Sequence, residues 1–171
     1  MEVTLEQMLA ARDRRQALQQ QLLAAYPHHT LLYATVVMPG SVKRNADAQV
    51  VADELKRQLS DCAGPDRGVN DAETGFEMYV VSSEPALEVK RAVCAIEDTH
   101  PLGRLMDIDV IGRDGVPVSR QAVGAAPRRC LLCDHEARWC MRNHTHTTEE
   151  LLAHIHQMVE SFKRQQNAAA R

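Results

Sequence analysis

The run His100-Pro-Leu-Gly-Arg-Leu-Met-Asp-Ile-Asp-Val110 sets two carboxylates at i and i+2 inside an apolar stretch. Met106, Ile108 and Val110 alternate with Asp107, Asp109 and Ile111, the period of a half-buried β-strand. Both aspartates therefore share one face of that strand. At a rise of roughly 3.3 Å per residue their β-carbons stand about 6 to 7 Å apart, within reach of a shared Mg²⁺. Aspartate is a poor strand residue, so the pair asks for a reason. An isolated D-x-D is more often a solvated strand face. The lead-in tilts the balance here, because Gly103 permits close backbone approach and Arg104 supplies a phosphate-binding guanidinium just before the two ligands.

Outward from this strand, helical and extended periods alternate. Thr4 and Gln7 form a capping box for a helix to about Ala25, with Leu5, Met8, Leu9, Leu22 and Leu23 as its apolar stripe. Arg12, and Arg15 or Gln16, fall where that stripe continues, so they either point inward or belong to a solvated, arginine-rich face. Leu31 to Met38 reads as a buried strand stopped by Pro39-Gly40, with Lys43 just beyond. A helix over about 46–60 carries Val51, Leu55 and Leu59, with Cys62 as a near-core thiol. The stretch 64–75, with Pro65, Asp66, Gly68, Asn70 and Asp71, reads as a loop able to move over a site. Phe76 to Ser82 is the next strand, and Pro85 opens a helix to about Asp98 with Val89, Val93 and Ile96 inward and Cys94 as packing. Asp114-Gly115 then turns the chain into a short return over 116–119. A second capping box, Thr147 with Glu150, starts a C-terminal helix docked by Leu151, Leu152, Ile155, Val159 and Phe162, and 165–171 reads as a frayed tail. The pattern predicts an α+β or α/β domain over 1–171, with a mixed sheet, helices packed on one side of it and a C-terminal helix; strand order is not legible.

The bulk numbers exclude other classes. A net charge of −3 and a pI near 6.2 argue against a nucleic-acid partner. No stretch approaches the ~20 apolar residues of a membrane span, and Met1-Glu-Val-Thr-Leu-Glu lacks the basic and apolar regions of a signal peptide, so no membrane association and a cytoplasmic location are expected. The cysteine count of 5 is odd, which in a reducing compartment argues against a disulfide framework.

Three of those thiols cluster as Cys130-x2-Cys133-x6-Cys140, followed by His144 and His146. Three thiolates and one imidazole suffice for tetrahedral Zn²⁺, and the C-x2-C pair is half of a common structural site. The fourth ligand is open between His146 and His144, with His135 an outside choice. Such a knuckle, over 127–146, would fix a loop bearing Arg128 and Arg129, and with every ligand position filled its metal would be structural.

His100-Pro-Leu-Gly-Arg-Leu-x-Asp-Ile-Asp-Val110 together with Pro127-Arg-Arg-Cys-Leu-Leu-Cys133 resembles the apo-citrate lyase phosphoribosyl-dephospho-coenzyme A transferases. Arg12-Asp-Arg-Arg-Gln16 and Val37-Met-Pro-Gly-Ser-Val-Lys43 extend the resemblance over almost the whole chain. It implies nucleotidyl transfer: triphosphoribosyl-dephospho-coenzyme A as donor, a serine of the citrate lyase acyl carrier protein as acceptor and diphosphate as leaving group. On that reading Asp107 and Asp109 hold Mg²⁺, Arg104 assists catalysis, and Arg128, Arg129, Lys43, Arg12, Gly103 and His100 bind substrate. His146 is nearer than His144 to where the family's histidine falls. The D-x-D strand is also similar to that of the polymerase-β-like nucleotidyltransferase core, although Gly103 lies too close ahead of Asp107 to be that core's Gly-Ser helix. Two rival readings are the equivalent transferase for malonate decarboxylase and a non-enzymatic, zinc-stabilised adaptor that binds a carrier protein.

Overall fold

The computed structural model describes residues 1–169. Five helices, α1 (Leu5–Ala25), α2 (Ala46–Gln58), α3 (Ala86–Thr99), α4 (Ala137–Asn143) and α5 (Thr148–Ala169), accompany four strands, β1 (Thr30–Val36), β2 (Asp66–Ala72), β3 (Gly75–Ser82) and β4 (Met106–Ile111). The sheet order is β2-β3-β1-β4. Every neighbouring pair is antiparallel, so the class is α+β and the expected mixture of strand directions is corrected. The cause lies in the connections. The β-α-β-β-α-β path of β1 to β4 is a split, ferredoxin-like arrangement, in which β3 separates β1 from β2 and β1 separates β3 from β4. Strands that run the same way never touch.

Strand alternation sorts the side chains into two unlike faces. Leu32, Ala34, Met78, Val80, Ile108 and Val110 enter the main core with Val51 and Leu55 of α2, Val93 of α3 and Ile155 and Val159 of α5. Leu31, Val81 and Ile111 point the other way and meet Leu22 of α1 in a smaller cluster. Helices therefore flank both sides of the sheet, contrary to the one-sided expectation. The α1 capping box forms as read, yet Leu5 and Leu9 are 76% and 50% exposed while Ala11 and Leu22 are buried. Only part of α1 lies on the sheet, and Arg15 rather than a leucine makes its midpoint contact, with Glu77.

The stretch expected to be a mobile loop is strand β2, paired with β3 from Asp66↔Val81 to Ala72↔Gly75. Its polar sequence hides it because it is an edge strand with most side chains in solvent, held by backbone bonds that carry no sequence period. The C-terminal capping box also forms, with Thr147 accepting from the Glu150 N–H at 3.1 Å and Glu150 accepting from the Thr147 N–H at 2.8 Å. Helix α5 continues through Ala169, so 165–169 are helical rather than a frayed tail, and the rest of that tail lies outside the described residues.

The other edge strand, β4, is closed by side chains. Glu97 of α3 accepts from the Ile108 N–H at 3.1 Å, Lys90 reaches the Ile108 carbonyl at 3.5 Å, and Arg128 donates to the Met106 carbonyl at 2.8 Å. Val118 adds a backbone bond to the Val110 carbonyl at 2.7 Å. The Glu97 carboxylate is 3% exposed and meets Arg120 at 2.6 Å, while Arg120 also bonds Asp98 and the Ala126 carbonyl. Burial pushes the Glu97 pKa up, with Arg128, Lys90 and Arg120 opposing. Arg120→Ala should therefore cost about 3 kcal/mol in urea melts, because it strands a buried carboxylate; a loss indistinguishable from zero would show that the pair is not structural.

Candidate functional site

Asp107 and Asp109 stand on the side of β4 turned away from the main core, with the intervening Ile108 buried. Register fixes their company. Thr35 is the cross-strand partner of both Asp107 and Glu77, and Tyr33 is the partner of Asp109, so these side chains share one polar patch beyond the end of the α1 cluster. Asp107 is about half exposed and accepts from Arg128 Nη1 at 2.7 Å. The other Arg128 nitrogen bonds the carbonyls of Arg104 at 3.0 Å and Met106 at 2.8 Å. The Asp109 carboxylate makes no hydrogen bond or ion pair among the described residues. The side chain is exposed, and its pKa is raised by partial desolvation first and by the Asp107 charge second, with Lys90, Arg15 and Arg128 opposing the rise. The patch thus holds two carboxylates with Arg128 bonded to one of them and Arg15 on the same sheet face, a distribution suited to a divalent ion and phosphate oxygens.

Arg104 is half-buried, and its Nε is enclosed without a hydrogen-bond partner. Burial first, and then the Arg128 charge, push its pKa down. Two guanidiniums close enough to repel, one of them with a vacant donor, are poised for an anion. The other sequence-selected residues divide. Arg129 is 70% exposed and lies 3.6 Å from Asp134. Lys43 donates to the Met38 carbonyl at 2.6 Å and is pushed down in pKa by burial. It lines a depression of about 340 Å³ with Asn45, Gln49, Asp71 and Phe76 and makes no bond to either aspartate. Arg12 is exposed on α1, without a polar partner among the described residues.

Two of the sequence-selected residues lie away from the polar patch. His100 lies on the core side: its Nε2 meets Glu54 Oε1 at 3.1 Å, its Nδ1 accepts from the Leu102 N–H at 3.0 Å, and its ring packs on Phe162 of α5. Both nitrogens are engaged away from the aspartates, so the histidine before proline caps and packs. Gly103 is buried, and a β-carbon there would stand 2.3 Å from the Ile96 carbonyl oxygen and 2.7 Å from that of Glu97. Its bare backbone serves the close approach of β4's lead-in to the end of α3.

Two residues of the patch escaped the sequence reading. Glu77 is 7% exposed at its side chain; its Oε1 accepts from Arg15 Nε at 3.2 Å and Nη2 at 2.5 Å, and its Oε2 accepts from the Tyr33 hydroxyl at 2.7 Å. Burial and the Glu77 bond push the Tyr33 pKa well up. A lone glutamate in the apolar run Phe76-Glu-Met-Tyr-Val was the only available sign of this network.

The cysteines converge as well. Ligand atoms of Cys130, Cys133, Cys140 and His146 all lie within 4.8 Å of one another. Cys133 Sγ is 3.4 Å from Cys140 Sγ and 3.3 Å from His146 Nε2. A tetrahedral zinc with bonds of about 2.3 Å to sulfur separates its sulfurs by about 3.8 Å, so a small outward adjustment accommodates the ion. Backbone N–H groups of Leu132 and Cys133 point at the Cys130 sulfur and, against burial, hold its pKa below the usual thiol value, as expected of a thiolate prepared for a cation. Helix α4 delivers Cys140. His144 then takes a left-handed turn with φ 48°, which leaves its own ring exposed and brings His146 back to the sulfurs. His135 stacks on Trp139 at 4.3 Å. The open choice of histidine is thereby decided by geometry in favour of His146. Arg128, two positions before Cys130, is tied to the knuckle by its carbonyl, which accepts from the Ala137 N–H at 2.8 Å.

Comparisons with known proteins identify the chain's relatives. The sequence profile of the apo-citrate lyase phosphoribosyl-dephospho-CoA transferase family matches residues 3–162. A Vibrio cholerae serotype O1 protein (strain M66-2), named "Probable apo-citrate lyase phosphoribosyl-dephospho-CoA transferase", is 38% identical over 94% of this chain and 93% of its own length. A protein of the same name from Streptococcus pyogenes serotype M18 is 33% identical over 98% of this chain and 91% of its own length. With this coverage, and with the paired aspartates and the cysteine knuckle in place, the chain belongs to the apo-citrate lyase phosphoribosyl-dephospho-CoA transferase family.

Proposed function

We propose that this protein transfers the phosphoribosyl-dephospho-coenzyme A group from its triphosphoribosyl precursor to a serine hydroxyl of the citrate lyase acyl carrier protein, in the cytoplasm, using one domain over 1–171. The observation that carries the reading is the open patch in which Asp107 and Asp109 share a strand face with Arg128 2.7 Å from Asp107, in a chain with this family membership. The serine oxygen forms a bond to the α-phosphorus, the bond from that phosphorus to the diphosphate breaks, and the serine proton is released. Mg²⁺, when bound, neutralises charge on the attacking and leaving oxygens. Two carboxylates fit that ion, which usually takes one or two of them and completes its shell with substrate phosphates and water.

The protein's own groups do the rest. Asp107 and Asp109 supply the ligands for the cation. Arg128 exchanges its bond to Asp107 for phosphate oxygens and, with Arg104, holds the departing diphosphate as its charge grows. Cys130, Cys133, Cys140 and His146 hold Zn²⁺ as a fixed corner from which Arg128 projects. Arg104→Lys and Arg128→Lys should each lower transfer by about tenfold or more although charge is kept, because one ammonium cannot replace a planar fork. Activity within twofold of wild type in both variants would remove the arginines from the site.

The function itself is tested by supplying purified protein with Mg²⁺, the triphosphoribosyl donor and the apo-carrier of either citrate lyase or malonate decarboxylase, then weighing the carriers. A mass gain equal to the prosthetic group on the citrate lyase carrier is expected. A gain confined to the malonate decarboxylase carrier would reassign the acceptor, and no gain on either would leave an adaptor.

A further inference from the structure

We propose that Arg15 is a second anion-binding arm of this site, held in place by Glu77 and Tyr33 and gripping the donor's phosphates from the α1 side, opposite Arg128. The inference rests on the transferase reading above for the identity of the anion, while the anion site itself can be tested alone. Arg15 spends one edge of its guanidinium on a single oxygen, Glu77 Oε1, through Nε at 3.2 Å and Nη2 at 2.5 Å. The other Glu77 oxygen is occupied by the Tyr33 hydroxyl at 2.7 Å, and the Arg15 guanidinium lies 5.6 Å from the centroid of the Tyr33 ring. The side chain is thus fixed on two sides.

It is nonetheless 33% exposed, against 7% for Glu77. No hydrogen bond engages its Nη1 among the described residues. A guanidinium has five donors in one plane, so the edge turned away from Glu77 remains free for paired bonds to phosphate oxygens. Its place is set by the register: Glu77 and Asp107 flank Thr35 and Asp109 flanks Tyr33, so the carboxylate that holds Arg15 lies on the same sheet face as both aspartates. A buried pair of this kind contributes little net stability, whereas it orients a cation well. Glu77, with both oxygens taken, is a positioning residue. Of the arginines near the start of α1, Arg15 reaches the sheet and Arg12 remains in solvent.

Calorimetry with inorganic diphosphate and Mg²⁺ tests the site without requiring transfer. Arg15→Gln should weaken diphosphate binding about tenfold or more, Arg15→Lys should weaken it less, and Glu77→Gln should fall between wild type and Arg15→Gln because the arginine remains but is loose. Arg14→Ala, an exposed neighbour on the same helix, should match wild type. In transfer assays Arg15→Gln should raise the donor KM in parallel and weaken product inhibition by diphosphate. If Arg15 only staples α1 to the sheet, Arg15→Gln and Glu77→Gln lose melting temperature equally and keep wild-type diphosphate affinity, which overturns the proposal. Should Arg15→Gln fail to fold, unchanged affinity in both Arg15→Lys and Glu77→Gln overturns it in the same way. Arg15-dependent diphosphate binding in a protein that labels neither carrier would uphold the anion site and reject the transferase reading.

Discussion

Asp107→Asn and Asp109→Asn are each expected to lower transfer about a thousandfold at saturating donor, with a melting temperature close to wild type. The size follows from the task assigned to the pair. A catalytic cation contributes several kcal/mol to stabilising charge on transferring phosphoryl oxygens, and each 1.36 kcal/mol is tenfold in rate, so losing about 4 kcal/mol gives a thousandfold. Folding is spared because neither carboxylate supports the core. Ile108, between them, is buried, whereas Asp107 is 51% exposed and its partner Arg128 keeps the Met106 and Arg104 carbonyls when the carboxylate is lost. Asparagine keeps the size and removes the charge, and Asp109 has no hydrogen-bond partner to forfeit. Rates within tenfold of wild type in both variants, at high Mg²⁺, would leave the aspartates as a solvated strand face.

Removal of the zinc proposed for the knuckle should be nearly as damaging, by a different route. Elemental analysis is expected to find about one zinc per chain, and strong chelation, or Cys133→Ser, should abolish most transfer while the melting of the sheet changes little. The separation arises from how the knuckle is attached. Cys130, Cys133, Cys140 and His146 lie on the segment from Pro127 to α5, whereas the main core draws on α2, α3, α5 and the sheet. Without a cation the thiolates repel, the turn at His144 has nothing to hold His146 against, and Arg128 loses the support of its carbonyl bond to Ala137. Metal affinity should fall as pH falls, since the thiolates and the imidazole must shed protons to bind. A metal-free protein that keeps full activity would end the assignment of zinc.

The two experiments are separable. Added Mg²⁺ should not restore the chelated protein, and added Zn²⁺ should not restore the aspartate variants, because hard oxygen ligands and soft thiolates select different ions.

Local chemistry was legible wherever one residue type at one spacing does a job by itself. The alternation over 106–111 determined strand β4 and the shared face of its aspartates, and both capping boxes formed where Thr4 and Thr147 placed them. The cysteine spacing marked the knuckle. Such signals are short-range, set by the period of a strand or the reach of a side chain, and they survive any arrangement of the remaining chain.

Whatever depended on partners distant in sequence was decided by the tertiary structure alone. Polar β2 became a strand because β3 offered it a backbone ladder, a preference that side chains do not advertise. The antiparallel order followed from crossovers that skip a strand, and that order carried Glu77 and Tyr33 to the aspartates, where Glu77 meets Arg15 of α1 from 62 positions away in sequence. His100 and Gly103, six and three positions before β4, were turned to the opposite layer by the end of α3. His146 prevailed over His144 because a single left-handed residue reversed the chain between them. Sequence therefore specified which groups could do the chemistry, and the fold specified which of them meet, because proximity on a sheet is set by register and layer rather than by position along the chain.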